Sequence, residues 1–114
     1  MAFERLTLTV ENGLARLEFN NAMRGNPIDE VFCAETCEAA TQLSVDPAVR
    51  CVLVTALGDA FGYGGDITSF VNDLDSLPAN IKRWTTLLHS GIARLQRMDA
   101  PIVAAVHGVC AGGM

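Results

Sequence analysis

The stretch "RCVLVTALGDAFGYGGDITSF" (residues 50–70) joins an unbroken apolar run to a glycine-rich loop. Residues 50–56 carry no alternation of polar and apolar side chains, which fits a strand covered on both faces, as in a parallel sheet. The loop that follows sets Gly62, Gly64 and Gly65 between Phe61 and Phe70, and places Asp66 where a helix can begin. A surface turn is served by one or two glycines, so this loop asks for a further reason. A second unit of the same kind ends the chain. In "APIVAAVHGVCAGGM" (100–114) an apolar strand over 100–108 leads into the pair Gly112-Gly113. Pro101 stands at the strand's start, where a missing N–H does little harm.

Upstream, "LTLTVENGLARLEF" alternates on both sides of Asn12-Gly13, which predicts antiparallel strands over 5–10 and 14–19 joined by a tight turn. "NNAMRGNPID" (20–29) reads as an irregular loop, with Asp29 as a candidate cap for the next helix. Ile28, Val31, Phe32, Ala39 and Leu43 form an amphipathic stripe that runs to Val45. "VNDLDSLPAN" (71–80) is acidic and reads as a mobile loop. Ile81, Trp84, Leu88, Ile92 and Leu95 then step by three or four, the clearest helix in the chain. The order β-β-α-β-loop-α-β-loop predicts an α/β fold whose sheet is largely parallel after the hairpin.

Half of the 114 residues are hydrophobic and 18% are charged, an apolar balance for so small a chain. Either the core is dense or some apolar surface is covered by something else. The net charge of −5 and the scattered Lys and Arg argue against a nucleic-acid partner. No apolar run is long enough to span a bilayer, and the N-terminus lacks the apolar core of a signal peptide. Cys33, Cys37, Cys51 and Cys110 read as reduced thiols, Cys33 and Cys37 as packing residues on one helical face, and no residue grouping predicts a metal site. His89 falls within the second helix and His107 ends a strand; neither is assigned a role on sequence.

Both glycine pairs follow the carboxyl end of a predicted strand, where open α/β sheets bind ligands. Glycine lets a ligand approach main-chain N–H groups without a Cβ in the way. Two such groups from neighbouring strands can converge on one oxygen, which is the arrangement of an oxyanion hole. The alternative is that the glycines serve strand-to-helix turns with positive φ. No G-x-G-x-x-G follows the first strand of a βαβ unit, which ranks dinucleotide binding low, and no G-x-S-x-G marks a hydrolase nucleophile.

Taken together, "AFGYGGDITSF", "APIVAAVHGVCAGGM" and the upstream "FNNAMRGNPID" resemble the crotonase family, the enoyl-CoA hydratase/isomerase superfamily. The family pairs an F-x-x-G-x-D loop with a later P-x-x-A-x-x-x-G-x-x-x-G-G segment. Pro27 stands where that family usually has Ala. The resemblance covers the whole chain but only the first half of a typical member. It implies the N-terminal part of a crotonase (ClpP-like) fold, with residues 1–114 as one portion of a single domain.

The resemblance further implies that the backbone N–H groups of Gly65 and Gly113 donate to a thioester oxygen. It places Tyr63 and Gly64 beside the adenine of coenzyme A, Arg24 and Asn26 at further coenzyme A contacts, and Asp66 and Ile67 at the start of the helix behind the site. The implied activity is hydration of a 2-enoyl-CoA or isomerisation of its double bond. Acyl-CoA hydrolysis and a non-catalytic binding or assembly module are the alternatives, and an unrelated nucleotide-binding domain ranks below them. Coenzyme A enters as part of the substrate, with no separate cofactor. A cytoplasmic trimer or hexamer is expected by analogy. The family's acid–base carboxylates follow the second glycine segment, so the chain alone is expected to be inactive and to belong to a longer polypeptide.

Overall fold

The computed structural model describes residues 2–114. Strands β1 (Leu6–Glu11) and β2 (Leu14–Phe19) form the expected hairpin. Asn12 and Gly13 both adopt positive φ, at 52° and 83°, as a two-residue type I′ turn requires. Helix α1 (Glu30–Val45), strand β3 (Cys51–Ala56), helices α2 (Ile67–Asn72) and α3 (Leu77–Gln96), and strand β4 (Ile102–Ala104) follow. The sheet order is β1-β2-β3-β4. β1 and β2 are antiparallel, whereas β2, β3 and β4 run parallel.

The register explains which side chains make the core. Ala15, Val52 and Ile102 share one rung, and Leu17, Val54 and Ala104 the next, all on one face of the sheet. Leu6, Ala15, Leu17, Phe19 and Val52 are buried there together with Phe32, Cys33 and Leu43 of α1. Phe19 meets Phe32 edge-on at 5.2 Å and Phe61 at 5.1 Å, so one aromatic cluster links strand, helix and glycine loop.

Polar anchors fix the ends of these elements. Asp29 caps α1 by accepting from the Phe32 amide at 2.8 Å, and its second oxygen accepts from Arg5 Nε at 3.0 Å. That carboxylate, foremost by its hydrogen bond, holds the Arg5 guanidinium above its ordinary value against the opposing effect of burial. The buried Glu35 carboxylate accepts from the backbone amides of Glu4 and Arg5, tying the start of β1 to α1.

Three expectations change. Of the loop expected over 71–80 only 73–76 is non-helical: Val71 and Asn72 end α2, and α3 begins at Leu77 with Pro78 in its first turn, where the absent N–H is not needed. The strand expected over 100–108 is regular only at 102–104, because β4 pairs on one side alone among the described residues. Cover on both faces is not seen either. Val52 is buried, but the rest of β3 is half-buried and Val103 of β4 is 53% exposed. The helices pack on one face, so residues pointing the other way have no layer above them among the described residues.

α1 and α3 cross closely at Gly91, where an added Cβ would lie 3.0 Å from the Cα of Cys37. We expect Gly91→Val to destabilise the chain by about 1–3 kcal/mol through overpacking, measured as a lower urea midpoint.

Candidate functional site

Three segments meet beyond the carboxyl ends of the parallel strands: 20–28 after β2, 57–66 after β3 and 105–113 after β4. The middle one is laced to both neighbours by its main chain. On one side Tyr63 N–H donates to Gly25 O (3.2 Å), Ile28 N–H to Gly64 O (2.7 Å) and Asp66 N–H to Ile28 O (3.0 Å). On the other, Phe61 N–H donates to His107 O (3.0 Å), Gly62 N–H to Val109 O (3.1 Å) and Ala111 N–H to Gly62 O (3.1 Å).

Gly64 is where the strand-like alternation reverses. Its φ of +92° turns its carbonyl toward Ile28, the side that Tyr63 already faces. A trans peptide sets C=O and N–H on opposite sides, so the Gly65 N–H points away from Ile28. That is the side of residues 111–114, which form a turn closed by Met114 N–H donating to Ala111 O at 3.2 Å. Within it Gly112 has φ +59° and Gly113 does not share the positive sign, the pattern of a type II′ turn. A Cβ on Gly112 would lie 3.1 Å from Gly64 Cα and 3.8 Å from Gly65 N, so the two backbones nearly touch. Among the described residues neither the Gly65 nor the Gly113 N–H has an acceptor.

Both glycines border one cavity of about 250 Å³, walled also by Ile28, Trp84, Leu88 and His89. A second, strongly apolar cavity of about 390 Å³ continues from it between the sheet and the helices, reaching Leu17, Val54 and Ile102. Ile28, Leu88, Ile92 and Gly113 line both. No carboxylate lines either wall among the described residues.

The other residues singled out on sequence take distinct places. Asp66 precedes α2 as expected but is 4% exposed, and its carboxylate faces away from solvent. Arg24 Nη2 donates to both of its oxygens at 3.0 Å, and Ser69 Oγ donates to Oδ2 at 2.6 Å. Burial disfavours the charged form, but the hydrogen bonds from Ser69 and Arg24 and the nearby guanidinium outweigh it and hold the carboxyl below its ordinary value. Asn26 adopts φ 50° and is 1% exposed; its Nδ2 donates to Leu57 O and Ala60 O, both at 3.0 Å. Its side chain thus clamps two loops together. Tyr63 is 58% exposed, with its ring against Gly25, and Ile67 is exposed at the start of α2. The Arg24 side chain remains half in solvent.

Ser69, not singled out on sequence, completes the Asp66 network, and His89, given no role on sequence, lies on the wall shared with Gly65 and Gly113. A signal for His89 was present, since it sits one position past Leu88 in the α3 stripe and four past Thr85, which lines the same cavity. His107, by contrast, is held in place: its Nε2 lies 2.7 Å from Gly58 O and its ring packs edge-on against Phe61.

The family model described as enoyl-CoA hydratase/isomerase matches residues 9–114, and the chain belongs to that family. It is 32% identical over 114 residues to a crotonyl-CoA hydratase of Syntrophomonas wolfei, covering 99% of this chain and 43% of that protein. It is 31% identical to a fatty acid oxidation complex subunit alpha of Psychrobacter sp., covering 96% of this chain and 15% of that one. Among solved structures, an enoyl-CoA hydratase/carnithine racemase from Magnetospirillum magneticum superposes with a TM-score of 0.86 at 24% identity, over 98% of this chain and 42% of that one. An enoyl-CoA hydratase from Shewanella pealeana gives 0.84 at 19% identity, over 93% and 40%. These structures share the crotonase fold with this chain, which spans less than half the length of each of these relatives.

Asp66 supplies a pH-dependent test of the loop. Its folded-state value lies below the unfolded one, so its contribution is complete above the unfolded carboxylate range and is lost as pH falls through the folded value. Asp66→Asn is expected to lower stability by about 1–3 kcal/mol at neutral pH, and the deficit to shrink in acid. Urea unfolding of both proteins across that range measures it.

Proposed function

We propose that this chain carries the charge-stabilising part of an acyl-CoA-processing site, in which the N–H groups of Gly65 and Gly113 receive a thioester oxygen. The observation that carries the reading is the pair of main-chain donors without protein acceptors on one cavity wall, in a member of this family. Adding water across a conjugated double bond, or removing a proton beside a thioester, moves negative charge onto that oxygen. Two fixed amides in a largely apolar cavity stabilise the charge as it develops, each by ~3–4 kcal/mol in the transition state.

Hydration of a 2-enoyl-CoA is the preferred reaction, in keeping with the name of the Syntrophomonas relative, and double-bond isomerisation comes next. The nucleotide of coenzyme A would be held where Arg24 and Tyr63 line a shallow cavity on the other side of the loop, with Gly64 shaping the loop between them and Asp66 and Ile67 opening α2 behind it. Coenzyme A arrives as part of the substrate. The active protein is proposed to be a cytoplasmic homo-oligomer, a trimer or hexamer, in which residues 1–114 are part of one domain. A binding or assembly module without turnover is the second reading.

Gly113→Val gives a clean test. Its φ is not in the left-handed region, and an added Cβ meets only the flexible end of Ile28, at 3.0 Å. In the complete protein, the branched side chain is expected to crowd the amide and lower kcat/KM toward a 2-butenoyl thioester about 10²–10³-fold. Loss of absorbance of the conjugated thioester reports the reaction. Butyryl-CoA should move the Gly65 and Gly113 amide resonances of ¹⁵N-glycine-labelled protein. Unmoved resonances, or equal turnover by the variant, sink the assignment; moved resonances without turnover favour the second reading.

A further inference from the structure

Among the described residues, His89 is the one histidine on the wall of the amide-lined cavity, and its ring has no hydrogen-bond partner there. Besides it, the only titratable group lining that cavity among the described residues is Cys33. Burial, aided by Asp29 and Glu30, pushes the Cys33 thiol up to about 11, so it stays protonated near neutrality. Asp66 is next to Gly65 in sequence, but its carboxylate is engaged by Arg24 and Ser69 and does not line the cavity. Trp84 and Thr85, the neighbouring polar side chains of α3, do not accept protons at neutral pH.

The two histidines of the chain differ in what holds them. His107 has a carbonyl partner and an aromatic one, which suit a structural role. The His89 ring is exposed and has no hydrogen-bond partner among the described residues. It projects from the middle of a 20-residue helix, whose packing on α1 gives it a rigid base. Imidazole is the side chain suited to taking and returning a proton near neutral pH.

We propose that His89 is a catalytic residue of this site, exchanging a proton with the carbon next to the thioester carbonyl. The inference rests on the assignment of Gly65 and Gly113 as donors to the thioester oxygen. The C2–H bond breaks and its proton passes to a ring nitrogen. The bonding pair forms a C1–C2 double bond as the carbonyl pair moves to the thioester oxygen, where the two amides receive it. Return of the proton to C2 restores the substrate; return to C4 of a 3-enoyl thioester completes a shift to the 2-enoyl isomer. Neither course needs an oxidant or a second reactant.

The step can be read without overall turnover, from deuterium uptake at C2 of butyryl-CoA in heavy water, followed by NMR or mass spectrometry. His89→Gln keeps an exposed polar residue of similar size, so the fold is expected to survive. Its exchange rate should fall about 10²–10⁴-fold, while butyryl-CoA still moves the Gly65 and Gly113 amides as in the parent chain. Equal exchange by parent and variant overturns the proposal. So does the absence of exchange in the complete parent protein when its amides do respond. If the variant loses the amide response too, His89 acts in binding or structure and the proposal also fails. A parent chain whose amides ignore butyryl-CoA overturns the donor assignment itself, and this inference with it.

Discussion

The site depends on two backbones coming closer than side chains would permit. Gly64 and Gly112 pass each other at a distance where a Cβ on Gly64 would lie 2.9 Å from Ala111 O and 3.0 Å from Gly112 Cα. With that contact made, residues 61–66 continue the sheet as a central ribbon between 25–28 and 109–111. The left-handed turn at Gly64 then reverses the direction of one peptide. Because the Gly64 carbonyl is committed to Ile28, the Gly65 N–H has to face the opposite side. An exposed donor is thus a geometric consequence of a satisfied acceptor, and no side chain is needed to aim it.

Buried polar side chains keep this ribbon from drifting. Asn26 joins the 20–28 segment to residues 57 and 60, and Asp66 joins it to Arg24 and to α2 through Ser69. Breaking a buried, fully partnered carboxylate costs far more than a surface ion pair contributes. The Arg24–Asp66 pair is of mixed kind, since the guanidinium is half in solvent while the carboxylate is enclosed. Its value lies in holding the residue after Gly65 in one place. The aromatic cluster of Phe19, Phe32 and Phe61 fixes the other end of the ribbon.

Local signals in the sequence carried most of the fold. Asn12-Gly13, the cap at Asp29 and the stripe from Ile81 to Leu95 each act within a few residues; the hairpin and α1 formed where expected, and α3 formed over the stripe but began four residues earlier, at Leu77. One local signal was passed over: Pro78 fits the first turn of a helix, so 77–80 belong to α3 while the acidic residues before it lie outside the helix. The other facts that could not be read were long-range. The length of β4 depended on its pairing on one side only among the described residues. The same holds for the site. The glycine pairs were visible as motifs, but the burial of Asn26 follows from two carbonyls more than thirty residues away. The place of His89 follows from how α3 lies across the sheet and α1.

That last dependence links packing to chemistry. Main-chain donors serve well for stabilising charge because their positions are set by the fold and do not titrate. A proton carrier has to be a side chain, and it needs a rigid base at a set distance from those donors. Gly91, two residues after His89, is where α3 touches the backbone of α1. The asparagine, glycine and carboxylate anchors set the amides from the sheet side, while this helix contact sets α3 from the other. A change at Gly91 therefore acts on the cavity as well as on stability, because any shift of α3 along α1 carries His89 relative to Gly65 and Gly113. Chemistry carried on a neighbouring helix can in this way change by substitution on α3 while the amide pair stays untouched.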